Sequence, residues 1–239
     1  MSQRRSTEEL QAIAAAAGER FADARGIAGA EEVVSWAALE FGAPGGLAVA
    51  SSMQDAVLPH LVSRFSSGVD VIFLDTGYHF AETLGTRDAV SVTLPVTVLN
   101  VRPKQTVAEQ DAEYGPRLYE RDPALCCRLR KVEPLAQQLR GYEAWMSGVR
   151  REEAPTRAQT PVVSWDAKHG LVKINPIAAW TFDEVLAYVE EHDVPVNPLL
   201  SGGYPSIGCA PCTRSVAPGE DPRAGRWAGL AKTECGIHA

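Results

Sequence analysis

The chain has 239 residues, 45% hydrophobic and 22% charged, the balance of a soluble globular protein. Its net charge of −7 argues against a nucleic-acid coat, so a small anionic ligand would need positive charge gathered locally. No apolar run approaches the roughly 20 residues that span a membrane, and the opening MSQRRSTEELQAIAAAAGERF reads as an amphipathic helix rather than a signal peptide, so a cytoplasmic protein with no membrane partner is expected.

Helices are expected over 7–25 and 29–41, the second opening on the acidic pair Glu31-Glu32, which suits a helix N-terminus. GGLAVASSMQDAVLPHLVSRF reads as a strand from Leu47 to Ser51, a polar turn and a helix. VDVIFLDTGYHFAETLGTRDAV repeats the plan, with a strand from Val69 to Leu74, a turn at Asp75-Thr76-Gly77 and another helix. LPVTVLNV, over 94–101, is a third strand-like run rich in β-branched residues. Strands alternating with helices predict an α/β fold of parallel βαβ units, with helices on both faces of the sheet. Ligands of such sheets bind beyond the carboxyl ends of the strands, which puts Ser51, Ser52, Asp55, Asp75 and Thr76 on one rim.

Further along, TVAEQDAEYGPRLYERDPALCCRLRKVEPLAQQL is charged and mostly helical. YEAWMSGVRREEAPTR returns to a strand and then a basic loop, and TPVVSWDAKHGLVKINPI looks like a hairpin-like pair of strands. TFDEVLAYVEEHD is a helix in which Thr181 and Glu184 fit a capping box. Beyond Pro195 the chain is dense in glycine and proline without a clear period, and is read as ordered but irregular.

The turn ASSMQD matches neither of the common glycine-rich phosphate loops. Its hydroxyls and backbone N–H groups would suit an anion, but a helix start capped by Ser51 or Ser52 explains it as well, and taken alone is favoured slightly. Arginines gather in loops: Arg150, Arg151, Arg157, Arg223 and Arg226. Guanidinium forks bind phosphate and sulfate oxygens, although for any single arginine solvated surface charge is the plainer reading. The five cysteines fall as Cys126-Cys127, as Cys209 and Cys212 in CAPC, and as Cys235. Four thiolates suffice for a tetrahedral zinc or an iron–sulfur cluster, and the adjacency of Cys126 and Cys127 favours the cluster. Cys235 is left single, with His238 three residues on, either as a reactive thiol or as a spare cysteine near a chain end.

Taken together, LDTGYHF, CCRLRKVEPL, GVRREEAPTR, GCAPCTR and ECGIH resemble the assimilatory adenylyl-sulfate reductases of the phosphoadenylyl-sulfate reductase family, from about Leu47 to the end. The resemblance implies an adenine-nucleotide α-hydrolase-like fold, a parallel sheet with helices on both faces and an irregular, mobile C-terminal tail. It implies thioredoxin-dependent reduction of adenosine 5′-phosphosulfate to sulfite and AMP, through a cysteine S-sulfonate, in sulfate assimilation and cysteine biosynthesis. By position, Cys126, Cys127, Cys209 and Cys212 would hold one [4Fe–4S] cluster, Cys235 would be the nucleophile, and Lys131 would lie between cluster and substrate. Arg157, Arg223, Arg226 and His238 match positions around the phosphosulfate, while Ser51, Leu74 and Gly148 match nucleotide contacts, with Ser52, Asp55 and Thr76 beside them. One departure is visible: Ser52 stands where the family's loop often has glycine. The implied division is an N-terminal helical segment over 1–45, a nucleotide-binding α/β domain over 46–200, and a cluster-binding segment with catalytic tail over 201–239. Rival readings are a reductase of the 3′-phosphorylated substrate, a zinc-bearing sulfur-transfer enzyme and a non-catalytic binding module.

Overall fold

The computed structural model describes residues 4–230 and 232–237. The chain opens with α1 (Thr7–Arg20), whose start is fixed by a reciprocal capping box between Ser6 and Glu9. Its buried face, Leu10, Ala14 and Ala17, follows the helical period. The helix ends earlier than residue 25 because Phe21 leaves the helical path to bury its ring, 5.3 Å from that of Trp36. Trp36 belongs to α2 (Gly26–Phe41), which begins earlier than expected and buries Ala30, Val33, Val34, Ala37 and Phe41.

Six strands form one sheet: β1 (Leu47–Ala50), β2 (Val69–Leu74), β3 (Val96–Val101), β4 (Ala144–Ser147), β5 (Val163–Asp166) and β6 (Leu171–Ile174), ordered β3-β2-β1-β4-β6-β5. All neighbours are parallel except β5, which pairs antiparallel with β6 and so forms the expected hairpin. Parallel strands need crossovers, and α3 (Val57–Ser63) and α4 (Ala81–Thr93) supply those from β1 to β2 and from β2 to β3. The connection from β3 to β4 is longer, with α5 (Val107–Tyr114), α6 (Leu118–Arg121), α7 (Pro123–Cys127) and α8 (Glu133–Leu139). A final helix, α9 (Phe182–His192), carries the Thr181–Glu184 capping box read from the sequence.

The period of two along each strand divides the core. Val49, Val71, Met146 and Val172 face one side and join α1, α2 and α3 in the larger apolar cluster. Ala48, Ile72, Trp145 and Leu171 face the other side and meet Leu135 and Leu139 of α8. Both faces are therefore covered, as a parallel sheet requires. Ile237, near the end of the chain, packs on the second cluster beside Ala50, Leu74 and Val101. Among the described residues no helix is long and apolar enough to cross a membrane.

Candidate active site

The strand order reverses at β1, with β2 on one side and β4 on the other, the position where open parallel sheets bind ligands. A cavity of about 220 Å³ opens there, lined by the last residues of β1, β2 and β4 (Ala50, Leu74 and Ser147) and by Ser51, Thr76 and Gly148 just beyond them. Ser52, Asp55, Lys131, Arg157, Arg223, Arg226 and Cys235 line the same cavity. The site residues that the family resemblance implied outside the cysteine quartet thus line one cavity, except His238, which lies outside the described residues.

The loop after β1 is built differently from a capped helix start. α3 begins only at Val57, and Ser51 instead turns its hydroxyl onto the Met53 backbone N–H at 3.3 Å. Met53 takes the left-handed backbone, φ 58°, and so makes the sharp turn itself. Ser52 is not among the positive-φ residues, so serine meets no backbone penalty at the position where the resemblance leads one to expect glycine. Asp55 accepts the Val57 N–H at 3.1 Å, in the place of a cap, and burial raises its pKa despite that bond and the nearby charge of Arg150. Asp75 stays off the cavity wall: it accepts the Gly77 N–H at 3.3 Å and pairs with Arg102. Thr76 lines the wall, but its buried hydroxyl lies 3.3 Å from Cys209 Sγ, so it faces the cysteine pair as well as the ligand space.

The cations divide into neutralised and unneutralised groups. Arg157 forms a fork to Glu234, with Nε and Nη2 at 2.7 and 2.6 Å from the two carboxylate oxygens, and gives Nη1 to Glu153 at 2.6 Å. Arg223 reaches the same Glu234 at 3.3 Å and the Thr233 carbonyl at 2.9 Å. Arg226 meets no carboxylate among the described residues. It makes long bonds of 3.3 Å to Ser206 and the Ile207 carbonyl, its Nε is buried without a partner, and burial with the like charge of Arg223 pulls its pKa down. Gly208 gives Arg226 room: a Cβ there would stand 2.2 Å from its Nη2 and force the guanidinium to shift. Burial opposes the charge on Lys131, yet Cys209, Cys235 and Cys127 outweigh it and raise its pKa.

The other four cysteines gather on the far side of Lys131. Cys126, Cys127, Cys209 and Cys212 line one small pocket with Tyr78, Tyr119 and Lys131. Pro123 opens α7, and Asp122 caps it by accepting the Leu125 N–H at 2.9 Å. After Cys127 the helix widens into a π-turn over Arg128–Val132, a local feature frequent at functional sites. Within it Arg130 is buried, donates to the Thr76 carbonyl, and reaches Gln110 at 2.9 Å. Burial and then mutual repulsion push the Cys126 thiol up to about 12 and Cys212 to about 11. Cys209 goes the other way, because Lys131 and the Thr76 hydroxyl overcome its burial.

Among the described residues no His, Cys, Asp or Glu trio closes on a single metal position. The quartet instead shares the walls of one space, a donor set suited to a multi-atom iron–sulfur cluster. Sequence reasoning missed Glu153 and Glu234 as partners of the arginines; ECGIH placed Glu234 beside Cys235, but nothing local pointed to Arg157.

The phosphoadenosine phosphosulfate reductase domain family matches residues 46–215. An adenosine 5′-phosphosulfate reductase of Streptomyces coelicolor is 59% identical over all of this chain and 98% of its own length. One from Mycolicibacterium smegmatis is 57% identical over 98% of this chain and 97% of its own. A phosphoadenylyl-sulfate reductase from Candida auris, solved as a phosphate complex, superposes with a TM-score of 0.67 at 28% identity, covering 90% of this chain and 100% of that one. The chain therefore belongs to the phosphoadenosine phosphosulfate reductase family, among its adenosine 5′-phosphosulfate reductases.

Proposed function

We propose that the protein reduces adenosine 5′-phosphosulfate to sulfite and AMP, with thioredoxin as electron donor, in sulfate assimilation and cysteine biosynthesis. The observation that carries this reading is a cavity at the strand reversal lined by Cys235 and by Lys131 and Arg226, two cations with no carboxylate partner among the described residues. A thiolate meeting a sulfate ester needs such charge to offset anion repulsion.

The thiolate of Cys235 attacks the sulfate sulfur. The bond from that sulfur to the bridging phosphate oxygen breaks, and AMP leaves with its electron pair. Cys235 then carries an S-sulfonate. A thiolate of the dithiol partner attacks the Cys235 sulfur and expels sulfite, and the partner's second thiolate resolves the mixed disulfide. Both electrons come from that dithiol. Ser51, Leu74 and Gly148 hold the nucleotide, with Ser52, Asp55 and Thr76 beside it, while Lys131, Arg157, Arg223 and Arg226 hold the phosphosulfate. Sequence position adds His238 to the phosphosulfate contacts.

Cys126, Cys127, Cys209 and Cys212 would hold one [4Fe–4S] cluster, which when bound would supply positive charge and local structure beside Lys131. The division into a helical segment over 1–45, a nucleotide-binding part over 46–200 and a cluster-and-tail part over 201–239 belongs to the same reading. The test is Cys235→Ser: sulfite release should fall to background while the nucleotide still binds within about threefold of wild type. Retained turnover would remove Cys235 as nucleophile, and with it this function.

A further inference from the structure

If Cys235 is the nucleophile, as proposed above, something must hold a short irregular tail so that its thiol faces the cavity. The described tail is gripped at four of the five positions from Thr233 to Ile237. Arg223 donates to the Thr233 carbonyl at 2.9 Å, and Arg157 forks onto Glu234 at 2.6 and 2.7 Å. Thr156 adds a bond to Glu234 at 3.2 Å. Beyond Cys235, Lys168 donates to the Gly236 carbonyl at 2.8 Å, and Ile237 packs on the sheet's second apolar cluster. Cys235 itself lines the cavity between these grips.

The two grips differ in strength. Arg157 and Glu234 are 12% and 22% exposed, so their fork is screened little by solvent. Lys168 stands exposed at the tip between β5 and β6 and contributes less. Gly236 allows the turn between them, with φ 82°.

We propose that Glu234 and Lys168 are positioning residues that clasp the tail on either side of Cys235 and set how often its thiol is presented to the substrate. The clasp also couples docking to the ligand, because Arg157 and Arg223 serve both Glu234 and the cavity. An anion that draws these arginines away loosens Glu234, and the S-sulfonate formed on Cys235 is such an anion, created one residue from the clasp. Sulfonation thereby favours release of the tail toward the dithiol partner.

The test follows alkylation of Cys235 by iodoacetamide in the native holoprotein, quantified on the tryptic peptide that begins at Thr233. Glu234→Gln should speed alkylation about tenfold, and Lys168→Met about threefold, following the strengths of buried and exposed charge-assisted bonds. Added salt should bring wild type toward Lys168→Met, whose grip is exposed, and much less toward Glu234→Gln, and Lys168→Arg should restore the wild-type rate. In single-turnover reactions with adenosine 5′-phosphosulfate, Glu234→Gln should lower the rate of S-sulfonate formation without raising the substrate concentration for half-saturation. Alkylation unchanged in both variants would overturn the clasp. So would faster alkylation accompanied by a fallen melting temperature and new reactivity at the other cysteines, which would reveal general unfolding. Failure of wild type to form any S-sulfonate would count against the proposed reaction, while the alkylation rates would still decide the clasp.

Discussion

Asp55, proposed above to lie beside the nucleotide, would trade stability for ligand binding. Its carboxyl lines the cavity, and burial raises its pKa above the ordinary value. A carboxyl whose folded pKa is raised favours the protonated form, so the folded protein loses stability as pH rises through the ordinary carboxylate range toward the folded value. At neutral pH its charge is thus a cost. Asp55→Asn keeps an oxygen for the Val57 N–H and removes that cost. The variant should melt higher, by about 2 °C or more, while its KM for adenosine 5′-phosphosulfate rises. Melting curves at pH 7 and steady-state kinetics check both; a lower melting temperature would contradict the assignment. Arg226 is the complementary case, a cation left short of partners near Cys235 and seated against Gly208.

At the scale of elements, the π-turn ties the cysteine helix to the ligand rim. Arg130 crosses from that turn to the Thr76 carbonyl on one side and Gln110 of α5 on the other. Arg130→Met leaves buried acceptors without a donor, at a cost of about 3 kcal/mol. The variant should melt roughly 6–12 °C lower and, on the proposed cluster assignment, retain less iron and acid-labile sulfide per chain, measured on purified protein. An unchanged melting temperature would mean that this bridge is unimportant. Much of this architecture was legible beforehand: β-branched runs between helical stretches marked the strands, and Thr181 with Glu184 marked the start of α9. The end of α1 was not, because burial of Phe21 against Trp36 is decided by tertiary packing rather than helical period. Nor was the loop after β1, where a left-handed Met53 displaces the helix start to Val57 and leaves Ser51 and Ser52 on the cavity wall.

For the whole molecule, the contrast between global and local charge matters most. The chain carries −7 overall, yet Lys131, Arg157, Arg223 and Arg226 converge on one cavity. The surrounding acidity opposes an approaching anion at long range, and carboxyls at the site, Asp55 and Glu153 on the cavity wall and Glu234 on its arginines, oppose it at short range. Solution charges are screened within about 8 Å at physiological salt. Moderate salt should therefore leave KM little changed or slightly lower, and only high salt should raise it as the short-range contacts weaken. A steady rise of KM from the lowest salt upward would instead show long-range attraction. Motifs in the sequence named the cysteines, arginines and loop residues that the fold gathers around neighbouring cavities. They did not show the Glu234–Arg157 fork, whose partners are 77 residues apart and share no local pattern.

The central claim, that Cys235 takes the sulfonate from the nucleotide before any electrons arrive, is tested most directly by intact mass. The holoprotein is incubated with adenosine 5′-phosphosulfate and no thiol donor, then weighed. The account predicts a gain of one SO3 group, located on Cys235, absent in Cys235→Ser, and removed as sulfite when reduced thioredoxin is added. No adduct from this substrate, in protein that retains its iron, would contradict it, and an adduct formed only from the 3′-phosphorylated nucleotide would move the chain to the other substrate.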